Sequence, residues 1–135
     1  MRDNRVITNP PGLHDPRPLG YSHVVSAAGE TVYLAGQYAS DADGQVAVEG
    51  FADQVELSLE HLVRALAAVG LGVENVVRLG SFVKDHDAEK LEILGRALHA
   101  VWGERLPVQT LSGVATLALP GMLVEIDAVA VRPAP

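Results

Sequence analysis

The chain has 135 residues, 48% of them hydrophobic, and a formal charge of −7, which is typical of one acidic globular domain rather than a disordered chain. The acidic balance argues against a surface that follows nucleic-acid phosphates, and the absence of cysteine excludes disulfides, thiolate nucleophiles and cysteine-ligated zinc. No apolar run approaches about 18 residues and the first residues lack the apolar segment of a signal peptide, so we expect a cytoplasmic protein without a membrane partner.

The first twenty residues are rich in residues that interrupt regular structure. They include Pro10, Pro11, Pro16 and Pro18, together with Gly12 and Gly20. Proline fixes its own backbone and lacks a hydrogen-bond donor, so this stretch is predicted to be an irregular lead-in. Residues 21–135 are then predicted to form a single domain.

Two strand patterns follow the lead-in. Residues 23–27 and 31–35 are predicted to form a hairpin that turns at residues 28–30. The acidic segment 41–44 ends in Asp-Gly and lacks the later oxygen ligands of a calcium loop, so it is predicted to be a turn.

The apolar period then changes from two to between three and four. Apolar residues from Phe51 to Val69 form one stripe along about five helical turns, and Gly70 stands at the expected end of the helix. Residues 73–84 return to a strand pattern, with Val77, Leu79, Ser81 and Val83 predicted on one face.

A second helix follows, and its start is predicted at an aspartate cap. Asp85 or Asp87 can supply that cap, and the apolar stripe runs through Leu91, Leu94, Leu98 and either Val101 or Trp102. Gly103 is predicted to end the helix.

Two closing strands are predicted at residues 108–116 and 122–131. In the second of these, Val124, Ile126, Ala128 and Ala130 alternate with two carboxylates, Glu125 and Asp127. Carboxylates inside an apolar strand cost free energy if they are buried without partners. The face that carries Glu125 and Asp127 is therefore expected either to be exposed to solvent or to have a function.

The predicted order is β-β-α-β-α-β-β, an α+β fold with one mixed sheet and two helices on one face. Two helices can cover only one face of this sheet. The other face of the sheet still carries the apolar residues Leu123, Val129 and Val131. Leaving that face in water would expose a large apolar patch, so we expect a homo-oligomer whose ligand clefts lie between subunits.

Several segments match one family in their order and spacing. They are residues 33–37 (Tyr-Leu-Ala-Gly-Gln), 43–44 (Asp-Gly), Phe51 with Gln54, 76–77 (Val-Val), 82–85 (Phe-Val-Lys-Asp), Pro107 with Thr110, 119–121 (Leu-Pro-Gly) and 124–128 (Val-Glu-Ile-Asp-Ala). With these marks the chain resembles the RidA family, also called YjgF/YER057c/UK114, from about Gly20 onward. The resemblance implies a chorismate-mutase-like homotrimer, and the best-known members of the family are enamine/imine deaminases.

The resemblance also implies a ligand cleft, and this chain departs from it at three positions. The family's deaminases hold the substrate carboxylate with an arginine two residues after a proline, a position that is Gln109 here. Arginine binds a carboxylate through two charge-assisted hydrogen bonds, which a neutral glutamine cannot do. A serine before the Gly-Gln pair is Ala35 here, and a cysteine two residues after the arginine is Leu111.

Other cleft positions are kept. Glu125 matches the glutamate that positions the hydrolytic water, Tyr21 approximately matches a cleft tyrosine, and backbone donors near Gly36 would help to hold the ligand. The resemblance therefore favours a small-molecule hydrolase of the deaminase type, with Glu125 as its catalytic group and a substrate other than a simple 2-imino acid.

Three alternatives stay open. Glu125 could be a structural acid that pairs with Arg78, Lys84 or Arg105 at an interface. The departures in the cleft also fit a non-catalytic, ligand-sensing or chaperone-like trimer, whereas the endoribonuclease activity of some relatives fits poorly with the acidic charge. The histidines have no ligand-like spacing, so no metal site is predicted, and no cofactor is expected.

Overall fold

The computed structural model of the protein describes residues 3–135, so the first two residues of the predicted lead-in lie outside the described part. Within that range the chain forms two helices and six strands, together with 3₁₀ turns at Arg17–Leu19 and Val73–Asn75. The strands are β1 (Val6–Thr8), β2 (Val24–Ser26), β3 (Glu30–Gln37), β4 (Val76–Lys84), β5 (Val108–Val114) and β6 (Val124–Arg132), and the helices are α1 (Phe51–Ala68) and α2 (Ala88–Trp102). The predicted order of elements is found from β2 onward.

The main sheet has four strands in the order β3-β6-β4-β5. β6 runs antiparallel to both of its neighbours, whereas β4 and β5 are parallel. A parallel pair requires a long crossover, which α2 supplies between the two strands. The α+β class with two helices and a mixed sheet is therefore confirmed.

The predicted hairpin between the second and third strands is wrong. β2 pairs with β1, whereas β3 pairs with β6 along almost its whole length. Pairing with β6 lets β3 bury Leu34 beside Ala128, and the short β2 offers no comparable apolar face. The lead-in is consequently not irregular throughout, because it contains β1.

Both helices pack on one face of the main sheet and form the core with it. The predicted stripe of α1 is buried from Val55 to Leu66, whereas Val69 lies beyond the helix and is exposed. In α2, Asp87 is the cap, since its carboxylate accepts a hydrogen bond from the Lys90 backbone N–H at 2.9 Å. The central side chains of this core are Leu62, Leu79, Val83, Leu94, Leu98, Val124 and Ile126.

The prediction that Val77 shares a face with Leu79 is wrong because β4 contains a bulge. The register with β6 shifts between Val76 and Arg78, so the extra residue turns Val76 rather than Val77 into the core. Beyond the bulge the alternation holds, and Leu79, Ser81 and Val83 are buried as predicted.

The opposite face of the sheet, which we call the open face, is covered by neither α1 nor α2. It carries Tyr33 on β3, Phe82 on β4, and Glu125, Asp127 and Val129 on β6. Tyr33 is 80% exposed in the single chain, whereas Val131, predicted to belong to the apolar patch, is only 8% exposed. Across the described residues, neither helix combines the length and apolar character that a bilayer crossing requires.

Candidate functional site

The carboxyl group of Glu125 lies over Gly36 on the neighbouring strand. A Cβ placed on Gly36 would be 2.6 Å from the Cδ of Glu125, which is closer than real side chains approach. The register between β3 and β6 shifts between Leu34 and Gln37 at this point. Glycine therefore leaves the space in which the half-buried Glu125 side chain lies against the sheet.

Asp127 occupies an equivalent place on the other side of β6, but it has a partner. A Cβ on Gly80 of β4 would collide with its carboxylate, and the Asp127 carboxylate forms an ion pair with Arg78 at 3.5 Å. This pairing gives Asp127 a structural role.

Glu125 forms no hydrogen bond or ion pair with any of residues 3–135. Two of the cations considered as its partners are engaged elsewhere, Arg78 with Asp127 and Arg105 with Asp3. A half-buried carboxylate that forms no ion pair within its own chain's described part is a group that a ligand or water can use as an acceptor.

Gln109 lies on the other side of the sheet. It is in register with Leu79 and therefore points to the helix-covered face, near the edge formed by β5. The buried Ser81 hydroxyl donates a hydrogen bond of 2.6 Å to its Oε1. The amide nitrogen of Gln109 has no hydrogen-bond partner among the described residues, so it remains a neutral donor.

Tyr21 is brought beside Gln109 by the backbone. Ser22 forms an isolated parallel bridge with Val108, and its N–H donates to the Pro107 carbonyl at 3.0 Å. Because paired strands share their alternation, Tyr21 and His23 stand on the same face of this edge as Gln109.

Two histidines complete this edge, and the sequence analysis assigned a site role to neither of them. The Nε2 of His14 shares a hydrogen bond of 2.6 Å with the Tyr21 hydroxyl. The Nε2 of His23 donates to the His14 carbonyl at 2.8 Å, and the three rings contact one another edge to face. No spacing in the sequence signals this cluster, because it depends on how the lead-in folds back.

The residues of the candidate site thus fall into two groups. The edge half-site consists of His14, Tyr21, His23 and Gln109, and the acid half-site consists of Ala35, Gly36 and Glu125. Glu125 and Gln109 are on opposite faces of the sheet with β4 between their strands, so one chain does not bring them together. Leu111 faces the helices opposite Ser81 and packs against the core.

Arg105 precedes Gln109 by four residues, but its guanidinium is already engaged. Its Nε donates to the Asp3 carboxylate at 2.8 Å, and its Nη2 donates to the Arg5 carbonyl at 2.9 Å. The bidentate pair with Arg5 and the bond from Arg105 hold the pKa of Asp3 well below its usual range, against the opposing effect of burial. This Asp3–Arg5–Arg105 cluster ties the lead-in to the segment before β5.

Neither of two further features contributes to these half-sites. Residues 41–44 form a turn as predicted, with the Asp41 carboxylate accepting from the backbone of Asp43 and Gln45, and no group of three metal-ligating side chains occurs in residues 3–135. A groove of about 750 Å³ runs between α1 and α2, lined by residues such as Leu59, Val63 and Ala97. It lies on the helix layer, on the far side of the sheet from Glu125.

A family model described as Endoribonuclease L-PSP matches residues 14–132 of the chain, which is nearly all of the described part. The chain belongs to this family, the RidA family. RutC family protein PH0854 from Pyrococcus horikoshii is 28% identical over 120 residues, which are 87% of this chain and 91% of that protein.

Solved structures of RidA relatives share the fold. YyfB of the conserved Rid protein family, from Yersinia pestis, matches with a TM-score of 0.89 and 31% identity, over 96% of this chain and 99% of that one. E. coli TdcF, solved with bound serine, matches with a TM-score of 0.66 and 25% identity, over 79% of this chain and 84% of TdcF. The predicted family and the RidA-like fold are therefore confirmed.

Proposed function

We propose that this RidA-family protein is a homotrimer that binds a small molecule in the clefts between its subunits. Each cleft would combine the edge half-site of one chain with the acid half-site of the next. The observation that carries this proposal is the placement of Gln109 and Glu125 on opposite faces of one sheet. A ligand that contacts both residues requires a second chain, and the serine bound to TdcF favours a small ligand.

The open face offers a surface for this assembly. It presents the exposed ring of Tyr33 together with Phe82 and Val129, while Gly36 and Gly80 let the two carboxylates lie close to the sheet. A flat face with exposed apolar side chains is stabilised by burial against another subunit. Trimer formation is thus the state in which the acid half-site would become enclosed.

The chemistry that fits the acid half-site is hydrolysis of an imine, or of an enamine after its conversion to the imine. Glu125 would accept a proton from a water molecule as the water oxygen bonds to the C=N carbon. The electron pair of the double bond then moves to nitrogen, which takes up the proton that Glu125 has accepted. Collapse of the resulting carbinolamine forms the carbonyl product and releases ammonia.

The substrate class is expected to differ from that of the arginine-containing deaminases. Gln109 offers hydrogen bonds without charge, and hydrogen bonds to charged groups are worth about 1.5–3 kcal/mol each. The test is ammonia release from 2-iminopropionate beside an arginine-containing family member. We expect much slower turnover by this protein, and an equal rate would contradict the proposed change of substrate.

A non-catalytic, ligand-sensing or chaperone-like trimer is the second candidate, because Ala35, Gln109 and Leu111 all differ from the family's deaminases. In that case Glu125→Ala would change ligand binding or stability but no reaction rate. Loss of a measured hydrolysis rate in this variant would exclude the second candidate. The formal charge of −7 argues against endoribonuclease activity, because an acidic surface repels the phosphates of RNA.

A further inference from the structure

We propose that the ligand presents a neutral carboxamide, rather than a carboxylate, to the edge half-site. This inference rests on the proposed function, since it concerns the same cleft. It follows from which polar atoms at this edge are free and which are already bonded.

Among residues 3–135, no arginine near the edge half-site is free to pair with an anion. Arg17 forms a bidentate pair with Asp15 at 2.9 Å, and Arg105 binds Asp3 at 2.8 Å. Arg78 is in register with Val108, but it lies on the open face and pairs with Asp127. A ligand carboxylate enclosed at this edge would therefore lose its hydration without gaining a pair with any of these arginines.

The free polar atoms are instead complementary to an amide group. Oε1 of Gln109 is used by Ser81, which leaves its amide nitrogen to donate to a carbonyl oxygen. The Tyr21 hydroxyl shares one hydrogen bond with His14 and retains capacity for another. Because the Nε2 of His23 donates to the His14 carbonyl, its Nδ1 is an acceptor in the neutral ring. The NH₂ group of a carboxamide can donate hydrogen bonds to these acceptors, whereas a carboxylate has no N–H to donate.

The experiment compares pyruvamide with pyruvate, which have nearly the same shape and differ in this group. Binding to the assembled wild-type protein is measured by calorimetry at pH 8. We expect pyruvamide to bind about tenfold more tightly or better, which corresponds to about 1.4 kcal/mol. Gln109→Arg is expected to reverse the preference, because its guanidinium group can donate two hydrogen bonds to the carboxylate of pyruvate.

Val63→Arg is the matched control, because it adds the same charge at an exposed position of α1, on the helix layer and away from both half-sites. It should leave the preference for pyruvamide unchanged. Tighter binding of pyruvate by the wild-type protein would overturn the inference while leaving the cleft in place. Failure of both compounds to bind at millimolar concentration, to the wild-type protein and to Gln109→Arg alike, would overturn the inference and the proposed cleft together. The wild-type comparison decides the inference even if the arginine variant does not fold.

Discussion

The Glu125 carboxyl group lies directly over Gly36, in space that a Cβ on that residue would occupy at 2.6 Å from Glu125 Cδ. Its counterpart on the same strand, Asp127, lies over Gly80 but is paired with Arg78. Two carboxylates with the same relation to a neighbouring glycine therefore differ in one respect, which is that only Glu125 lacks a partner among residues 3–135. This difference separates a group available for chemistry from a structural ion pair.

Gly36→Ala is expected to reduce activity by displacing the Glu125 carboxylate rather than by unfolding the protein. The flexible end of the glutamate can move, and a displacement of about 1 Å can cost about a hundredfold in rate. The measurement is kcat/KM for the imine on which the wild-type protein is most active, together with the melting temperature. Gly80→Ala is the control, since it displaces Asp127 instead, and an equal loss of activity in both variants would contradict the special role of Glu125.

Glu125→Gln keeps the shape of the side chain but removes its ability to accept a proton. We expect kcat to fall by about a hundredfold or more, as is typical of a lost general base. Asp127→Asn makes the same chemical change two residues away and should retain most of the activity. If the two variants lose the same activity, the proton-accepting role assigned to Glu125 is wrong.

Tyr33→Glu is expected to disrupt the assembly, because it places a charge on the most exposed aromatic residue of the open face. Light scattering should show a trimer for the wild-type protein and a smaller species for the variant. Val63→Glu makes a similar change on α1, where 43% of the side chain is exposed, and should leave the trimer intact. A monomeric wild-type protein at micromolar concentration would refute assembly through the sheet.

Asp3→Asn is expected to destabilise the fold at neutral pH by about 1–3 kcal/mol, since it removes the charge that binds Arg5 and Arg105. These partners hold the pKa of Asp3 below its ordinary value of 3.8, so the stabilisation is present above that value and is lost as the pH falls below it. Urea unfolding at several pH values measures the effect. The difference between wild-type and variant should shrink in acid, and a difference independent of pH would show that the charge is not its source.

Periodic segments of the fold could be predicted from the sequence, whereas their pairing could not. The apolar stripe of α1 and the apolar alternation of β6 both follow from burial of one face of the element. The sequence of each segment is therefore sufficient to predict it. The partner of β3 depends on the nine-residue β6 at the far end of the chain, so the local hairpin pattern was misleading. The bulge at Val77 similarly depends on the register with β6.

The candidate site shows the same division. Glu125 and Gln109 could be located through the family resemblance, because each stands beside recognisable residues. Their placement on opposite faces of the sheet could not be predicted without the strand register. The His14–Tyr21 hydrogen bond could not be predicted without the path of the lead-in.

Cross-linking between cysteines at positions 109 and 125 tests most directly whether two chains complete each cleft. The sequence contains no cysteine, so Gln109→Cys and Glu125→Cys introduce unique thiols. When chains carrying one substitution each are assembled together and treated with a short bismaleimide, we expect covalent dimers that neither variant forms alone. The double variant should give covalent trimers. A mixture and a double variant that both remain monomeric on a denaturing gel, although light scattering shows the trimer, would contradict the shared cleft.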